Sequence, residues 1–370
     1  MQNTAARVPP FFERSRITGT TSAPINFPEA YFTQAERLAG NAQLEGIQYE
    51  PEQPTMVKWN MNVQREILER TSIEIGYTGT RGDNLFRQIY TNGREAIEVD
   101  GRLFVPPGAP FLQPNFGRMR LRVSDADSWY NGLTVGLTRR AATLQTQVSY
   151  TLSKSEDTGA STIGGNDYSN ESGGSRYPFV KEKGLSPFDV RHALVASLNW
   201  SAPFGRDGEG VSAALIRDWS IGTLIRLKSG SPFSVDTGGL ERGGQPDAPD
   251  YPDVCPGADP NPVLGGPEQY FDPTAFCLQP AGFIGNAPRN SVIGPGSATV
   301  DVMLSRALQL GGSRSLQVRL EVFNVLNRAN FDFPTASIFN PDGTYRSDAG
   351  RITSTIGTPR QVQLGLKFVW

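Results

Sequence analysis

The feature that most limits the fold of this chain is a strict alternation of apolar and polar residues, repeated about nine times. In the last of these segments an apolar residue occupies every second position from Val362 to Trp370, and polar residues or glycine occupy the odd positions up to Lys367. Successive side chains of a β-strand point to opposite faces, so each segment predicts a strand with one apolar and one polar face. The chain is therefore expected to be all-β.

The predicted strands follow one another with a regular pattern of connections. Tight turns near Glu69-Arg70, Ala141-Ala142 and Gly311-Gly312 close three hairpins, and short connections alternate with long ones of about 30 to 70 residues. Outer-membrane barrels have short periplasmic turns and long extracellular loops, whereas a soluble sandwich has no reason to place its long loops on every second connection. The strands are predicted at residues 55–68, 71–82, 128–141, 143–156, 189–204, 217–230, 298–310, 313–328 and 359–370.

The charged residues of these segments provide a stricter test of a membrane location. A Lys or Arg at mid-height of a lipid-facing surface costs about 2 to 4 kcal/mol. In the predicted registers the apolar face carries charge only near strand ends, at Arg65, Arg139 and Arg306. The mid-strand charges all fall on the polar face, at Glu74, Arg226, Asp301, Arg319, Glu321 and Lys367. We therefore predict that the apolar face contacts lipid and that the polar face lines a water-filled lumen.

Composition excludes several other classes of protein. A net charge of -2, from 35 basic and 37 acidic residues, favours no nucleic-acid partner. No run of 18 or more apolar residues exists, which excludes a transmembrane helix but not a transmembrane barrel. Hydrophobic residues are 38% of the chain, and 40 glycines and 28 prolines indicate many turns.

The strand count predicts how the chain is organised. Counting back from a periplasmic C-terminus places the start of the first strand outside the cell, whereas a complete bacterial barrel has an even number of strands. We therefore expect residues 1–54 to be an external loop or the remnant of a preceding strand, and residues 55–370 to be the C-terminal part of a barrel. Met1 to Pro10 contain no signal peptide, so the chain is interpreted as a fragment.

Short motifs on these strands and rims carry a family resemblance. They lie at residues 59–66 (WNMNVQRE), 76–82 (GYTGTRG), 130–133, 149–155 (SYTLSKS), 189–192, 229–233, 289–296 (RNSVIGPG) and 321–328 (EVFNVLNR). Together and in this order they resemble the barrel of large TonB-dependent receptors of the Oar-like group, which carry a carboxypeptidase-regulatory-like domain.

The resemblance implies a fold, a location and a set of partners. The fold would be an antiparallel transmembrane β-barrel, of which this chain supplies about 9 to 10 strands out of 22. The protein would lie in the cell outer membrane, in contact with its lipid, and would take up or bind an unknown ligand through the extracellular loops and the polar lumen. This sequence contains neither a plug nor a TonB box, so the TonB complex would be a partner only through a missing N-terminal region.

The last strand resembles the signal that the barrel assembly machinery reads, an alternating apolar strand that ends in an aromatic residue. Phe is commoner than Trp at the final position. The machinery is therefore an expected partner, and the predicted signal residues are Val362, Leu364, Leu366, Phe368 and Trp370.

Candidate residues for catalysis or metal binding are few. His192 is the sole histidine, and no nucleophile elbow, P-loop or zinc motif occurs, so we expect no catalytic, cofactor or metal site and no enzyme activity. His192 is predicted to belong to a polar network at a strand end. An aspartate-rich loop suggests either calcium binding or, as the favoured interpretation, a solvated acidic surface. Its aspartates are Asp247, Asp250, Asp253 and Asp259.

Cys255 and Cys277 lie in a segment rich in Pro, Gly and Asp, and such a lone pair suits an oxidising compartment. We predict a disulfide between them, the alternative being two unrelated thiols. The alternative to a membrane barrel is a secreted all-β binding or adhesion module, which could bind carbohydrate. In that module the apolar faces of two sheets would pack on each other.

Overall fold

The computed structural model describes residues 44–114, 116, 119–159, 177, 180–204, 210, 216–243, 250–311 and 314–370. Within these ranges the structure consists mainly of β-strands, with a 3-10 turn at Pro273–Ala275, and no helix there is long and apolar enough to cross a membrane. The strands are β1 (Leu44–Ile47), β2 (Thr55–Leu68), β3 (Thr71–Tyr90), β4 (Ile97–Val99), β5 (Arg102–Phe104), β6 (Met119–Arg140), β7 (Leu144–Asp157), β8 (Gly184–Leu185), β9 (His192–Ser201), β10 (Trp219–Lys228), β11 (Pro232–Phe233), β12 (Asp253–Val254), β13 (Phe276–Cys277), β14 (Val292–Ile293), β15 (Ser297–Gly311), β16 (Arg314–Phe323) and β17 (Gln361–Val369).

Nine long strands form one antiparallel sheet in the order β2-β3-β6-β7-β9-β10-β15-β16-β17, and we call them the wall strands. The short strand β1 pairs in parallel with β6, and β8 pairs with β7. The wall strands are connected to their neighbours in chain order, so the sheet is an up-and-down meander. In the described part of the chain, β2 and β17 are its edges and do not pair with each other.

The three predicted hairpins are present. Leu68 pairs with Thr71, which leaves Glu69 and Arg70 as the first turn, and Arg70 adopts a positive φ of 58°. Arg140 pairs with Gln145 across the second turn. Gly311 pairs with Arg314 across the third. Local alternation and turn residues were therefore sufficient to predict the connectivity of the wall.

Two wall strands extend far beyond their predicted ends. β3 continues to Tyr90 instead of residue 82, and β6 begins at Met119 instead of residue 128. The prediction was wrong there because the register between them shifts at Gly82/Leu85 and again at Leu85/Phe86. A β-bulge adds an unpaired residue and so reverses the facing of later side chains, which interrupts the alternation in the sequence.

The pairing register places the alternating apolar residues of the wall strands on one face. Ile225 lies opposite Ala196 of β9 and Val300 of β15. Leu320 of β16 lies opposite Leu364 of β17. Many of these side chains are exposed, Leu364 to 70%, and no second described sheet covers them. The apolar face is therefore a continuous surface open to the surroundings, and not the interior of a sandwich.

The opposite face of the wall carries the mid-strand charged residues, as predicted. Arg226 and Asp301 lie on neighbouring strands, and Arg226 Nη1 donates to Asp301 Oδ2 at 3.1 Å. Glu321 lies opposite Gln363, and Lys367 opposite Gln317. No second described sheet packs on this face, so water can reach its ion pairs and amides and the cost of burying them in a dry core does not arise.

The long connections on one side of the wall fold into a compact structure that we call the loop layer, formed by residues 229–243, 250–296 and 324–360. Two small sheets, β11-β14 and β12-β13, lie within it. Ten side chains build a hydrophobic core of its own: Val235, Tyr270, Phe271, Ala275, Phe276, Ala287, Val292, Ile338, Phe339 and Ile352. Residues of both connections contribute, so the two loops stabilise each other.

Two predicted segments fall partly outside the described residues. Of residues 1–54, the structure describes 44–54, in which Leu44–Ile47 pairs with the outer end of β6. The proposed assignment of 1–54 to an external loop or a strand remnant stays a prediction. The glycine-rich segment 159–174, predicted to be an external loop, lies outside the described residues except for Gly159.

Candidate functional site

The height of the apolar face can be read from β6, whose side chains at odd positions point to it. Arg139 and Trp129 both lie on this face, and ten positions separate them. At about 3.4 Å per residue and a tilt of about 40°, the vertical distance is about 26 Å. This value is close to the height of about 25 Å that the apolar band of an outer-membrane barrel occupies. Arg139 and Trp129 therefore mark the two borders of that band.

The polar face contains a concavity of about 290 Å³ on β2, β3, β6 and β7. Amide and hydroxyl side chains line it, and Glu74 is the one carboxylate among the lining residues. Gly76 permits the Asn62 side chain to lie across the strand, because a Cβ at Gly76 would collide with the Asn62 amide. Thr134 and Thr151 hydroxyls are 3.0 Å apart beside it. Such a surface can hydrogen-bond neutral polar ligands and water.

A buried ion pair joins the loop layer to the wall. Arg289 Nη2 donates to both Asp157 Oδ1 and the Asp157 carbonyl oxygen, at 2.5 and 2.6 Å. The two side chains are only 2% and 6% exposed. The next residue, Asn290, donates from Nδ2 to the Leu185 carbonyl oxygen at 2.7 Å. Removing one partner of a buried pair costs about 3 to 5 kcal/mol, so this contact holds the loop layer in place above β7.

The aspartate-rich loop is a structural element in which the described carboxylates have hydrogen-bond donors from the protein. Asp250 accepts from the backbone N–H groups of Arg242 and Gly243 and from Gln279 Nε2, and burial raises the pKa of its carboxyl. Asp253 Oδ1 accepts from Arg102 Nη2 at 2.6 Å. Asp250 and Asp253 are therefore held by protein donors and are not part of a freely solvated surface.

The third described carboxylate of that loop, Asp259, is exposed. Asp259 Oδ1 accepts from the backbone N–H of Asn261 at 2.8 Å. Asp247 lies outside the described residues. Over the described ranges, His, Cys, Asp and Glu side chains nowhere form a group of three or more that could hold a metal ion.

His192 is the first residue of β9 and lies at the outer end of the wall. Its Nδ1 is 2.8 Å from the Tyr150 hydroxyl, and its backbone N–H donates to Ser229 Oγ. The neighbouring Asp189 accepts from the Ser155 backbone N–H at 2.6 Å. His192 thus lies in a polar network that joins three strands.

Cys255 and Cys277 form a disulfide with a Cα–Cα distance of 5.1 Å. It joins the ends of β12 and β13 next to Phe276, a fully buried residue of the loop-layer core. The disulfide therefore fixes the segment that carries the core aromatics.

The terminal strand β17 pairs with β16 along its whole length, and its other edge is open in the described structure. The side chains of its apolar face are 48% to 84% exposed, and the rings of Phe368 and Trp370 are 6.0 Å apart. The five residues predicted as an assembly signal, Val362, Leu364, Leu366, Phe368 and Trp370, share this face, with Trp370 directly after the strand.

A comparison with protein families decides the class of this wall. The family described as "Outer membrane beta barrel domain" matches residues 1–363. The chain belongs to this family. As an outer membrane beta barrel domain it is an outer-membrane protein, in agreement with the predicted fold class and location. A search of curated protein sequences returns no match.

Solved structures that resemble this outer membrane beta barrel domain include three transport proteins. The ferric-catecholate import receptor Fiu from K12 E. coli is 14% identical over 85% of this chain, with a TM-score of 0.37. The FrpB iron transporter from Neisseria meningitidis is 15% identical over 96%, with a TM-score of 0.41. The outer membrane transporter YddB from Escherichia coli is 10% identical over 89%, with a TM-score of 0.44. The chain covers 27%, 35% and 34% of them, about a third of their length.

Sequence reasoning missed the loop layer and the ion pair that holds it. The core residues Phe271, Phe276, Ile338 and Phe339 have no periodic spacing, so no strand or helix pattern reveals them. A usable signal was present in the aromatic residues and the cysteine pair of residues 231–293. A solvated loop has no need of such residues.

Proposed function

We propose that this protein forms part of the barrel of a TonB-dependent receptor or transporter and has no enzyme activity. One observation carries the proposal: a wall with a continuous apolar face and a polar concave face, topped at one end by a loop layer with its own core. The loop layer would bind the ligand, and the polar face would line its path. The Oar-like resemblance of the sequence motifs supports this assignment over other outer-membrane barrels.

The direction of the edge strands supports a larger barrel than the wall alone. Nine antiparallel strands leave β2 and β17 running in the same direction. Pairing them directly would create a parallel contact, whereas bacterial outer-membrane barrels are antiparallel with an even number of strands. We infer that an odd number of further strands lies between them, consistent with a 22-stranded barrel to which this chain contributes only a part.

A cross-linking experiment tests the barrel size. In the intact gene product, cysteines replacing Met61 of β2 and Leu364 of β17 should remain too far apart for a disulfide. The matched control pairs Leu364 with Leu320, which are directly opposite in β17 and β16 and should cross-link readily. A cross-link between positions 61 and 364 would contradict the proposal of additional strands.

The polar face provides a test of transport. Thr134 faces the concavity and Val135, its neighbour in β6, faces lipid. A Thr134→Cys variant should react with a membrane-impermeant maleimide and a Val135→Cys variant should not. Uptake of ferric siderophores, oligosaccharides and peptides is then compared between cells with and without the gene, before and after labelling.

The expected result is an uptake that requires the gene, stops when the proton gradient is dissipated, and falls after labelling at Thr134→Cys only. An uptake that is insensitive to the proton gradient would contradict the TonB-dependent assignment. Equal labelling of the two cysteines would contradict the assignment of the faces.

The assembly signal has its own test. Trp370→Ala should slow insertion into the outer membrane, while Gln363→Ala, on the other face, should not.

A further inference from the structure

A group of charged and aromatic side chains lies on the outer surface of the wall, where β3, β6 and β7 leave the apolar band. It consists of Arg81, Trp129, Lys154, Glu156 and Lys183, and we call it the outer-rim cluster. Arg81 lies 4.7 Å and Lys183 4.4 Å from the centroid of the Trp129 ring. Lys154 and Lys183 both contact the Glu156 carboxylate, at 3.0 and 3.5 Å. The cluster therefore collects three cations around one indole and one carboxylate.

The register places the cluster on the face that contacts lipid. Arg81 lies opposite Trp129, and Trp129 lies opposite Glu156. Six positions toward the other end of β6, Val135 lies opposite Ile75 and Tyr150 of the apolar face. Even spacing keeps side chains on the same side of a strand, so the cluster continues the apolar face upward.

The height of the cluster matches the outer border of the bilayer. Trp129 lies about 26 Å above Arg139 by the rise of a tilted strand, which is the full height of the apolar band. The long loops connect to the wall at the same end. Trp at such a border is typical of membrane proteins, because the ring has an apolar body and a polar N–H. The cations of the cluster are therefore level with lipid headgroups and not with hydrocarbon.

The charges of the cluster favour an anion. Two ammonium groups share Glu156, while Arg81 pairs with Asp83 at 2.7 Å, so the five charges sum to one positive charge. The side chains of Arg81, Lys154 and Lys183 remain 41%, 46% and 51% exposed, but that of Glu156 only 25%. An anion that approaches from the membrane side thus meets the cations before the carboxylate.

From this arrangement we propose that the outer-rim cluster binds the phosphate group of an anionic lipid in the outer leaflet. Arg81 Nε and Nη2 both contact Asp83 Oδ1, so the remaining N–H groups of the guanidinium and the two lysine ammonium groups would contact the phosphate oxygens. Trp129 holds two of the cations at the level of the headgroup, while the lipid chains pack on the apolar face below. The site is separate from the polar face and does not depend on transport.

Lipid retention by the intact gene product in nanodiscs tests this proposal. The discs contain phosphatidylcholine with a minor fraction of phosphatidic acid, and mass spectrometry of the released complexes measures the enrichment of phosphatidic acid on the protein. Each neutralised cation should lower that enrichment about fivefold, the effect of one Lys or Arg near an anionic lipid surface. The test variant combines Arg81→Gln, Lys154→Gln and Lys183→Gln.

A matched control removes the same charge from the opposite face through Arg226→Gln, Arg319→Gln and Lys367→Gln. Loss of enrichment in the test variant but not in the control supports the proposal, and equal enrichment in both overturns it. Lys183 lies outside the wall strands. The single variant Lys183→Gln therefore tests phosphatidic acid binding at the cluster even if the triple variant fails to fold. Undiminished enrichment in that single variant also overturns the proposal.

A second arm separates a lipid site from a site for free phosphate. Inorganic phosphate at millimolar concentration is added to the discs, and the enrichment of phosphatidic acid is measured again. The lipid site predicts little displacement, because the chains on the apolar face add to the binding of the headgroup. Complete displacement would overturn the lipid assignment, since the cluster would then bind phosphate without regard to its chains.

Discussion

The wall and the loop layer bury their apolar residues in opposite ways. Leu366 in the wall is 70% exposed, whereas Phe271 in the loop layer is completely buried among other protein side chains. Lipid must cover Leu366, whereas Phe271 belongs to a hydrophobic core like that of a soluble domain. The difference teaches that the wall depends on its surroundings for stability and that the loop layer depends on its own packing. Each region should therefore respond to a different kind of change.

Phe271→Ala should produce the largest effect, and only in the loop layer. Removing a fully buried phenyl ring costs about 3 to 5 kcal/mol. Limited proteolysis in urea should show cleavage within residues 229–296 at lower urea, while the barrel keeps its heat-modifiable migration on gels. Leu264→Ala, at a position 61% exposed, is the control with little effect. If the folded-barrel band on the gel is lost at the same urea concentration at which the loop layer is cleaved, the two regions do not unfold independently.

Ile225→Arg tests the wall in the same way. Ile225 faces lipid between Ala196 and Val300, and an arginine near mid-height should cost about 2 to 4 kcal/mol. Folding into lipid vesicles, measured by urea titration, should weaken by that amount. Leu224→Arg, one residue earlier on the polar face opposite Asp301, should be tolerated. Equal losses in the two variants would mean that the faces are assigned wrongly.

Replacing both cysteines by serine should weaken the loop layer by about 3 kcal/mol, the chain-entropy value for a closed loop of this size. The two cysteines are 22 residues apart in the sequence. The same proteolysis experiment measures the change, and reduction of the wild-type protein by dithiothreitol should reproduce it. A shift in the vesicle-folding midpoint of the wall would instead connect the two regions.

Asp250→Asn should change the pH dependence of the loop layer, with the smallest effect. Burial raises the pKa of Asp250 above its usual 3.8, so the folded loop layer binds this proton more tightly than the unfolded chain does. The free energy of unfolding that this group contributes is thus greatest below about pH 3.8 and falls as pH rises through the raised pKa.

The variant lacks this carboxyl, so its stability relative to wild type should improve as the pH rises from about 3.5 to 6. Proteolysis midpoints of both proteins across that range provide the measurement. Asp348→Asn is a useful contrast, because the Arg346 guanidinium lowers the pKa of that carboxyl and the sign should be reversed. If the stability of both variants relative to wild type changed in the same direction with pH, burial would not be the cause of the pH dependence at Asp250.

The wall was largely predictable from the sequence, and the loop layer was not. Alternation from Val362 to Trp370 is local, because each strand has one lipid face and one wet face all along its length. The core of the loop layer joins Phe271 to Ile338 and Phe339, which are far apart in the chain and share no period. The buried pair Arg289–Asp157 joins residues 132 positions apart, and only the folded chain brings them together.

The long outer ends of β3 and β6 carry the wall far beyond the lipid. Met119 is ten positions beyond Trp129 along β6, so this strand pair rises roughly 25 Å above the headgroups. A large soluble molecule that cannot enter a pore can still contact this outer end of the β3–β6 pair. Contact between the protein and a molecule in the medium can thus begin roughly 25 Å from the lipid, a distance similar to the thickness of the hydrocarbon layer.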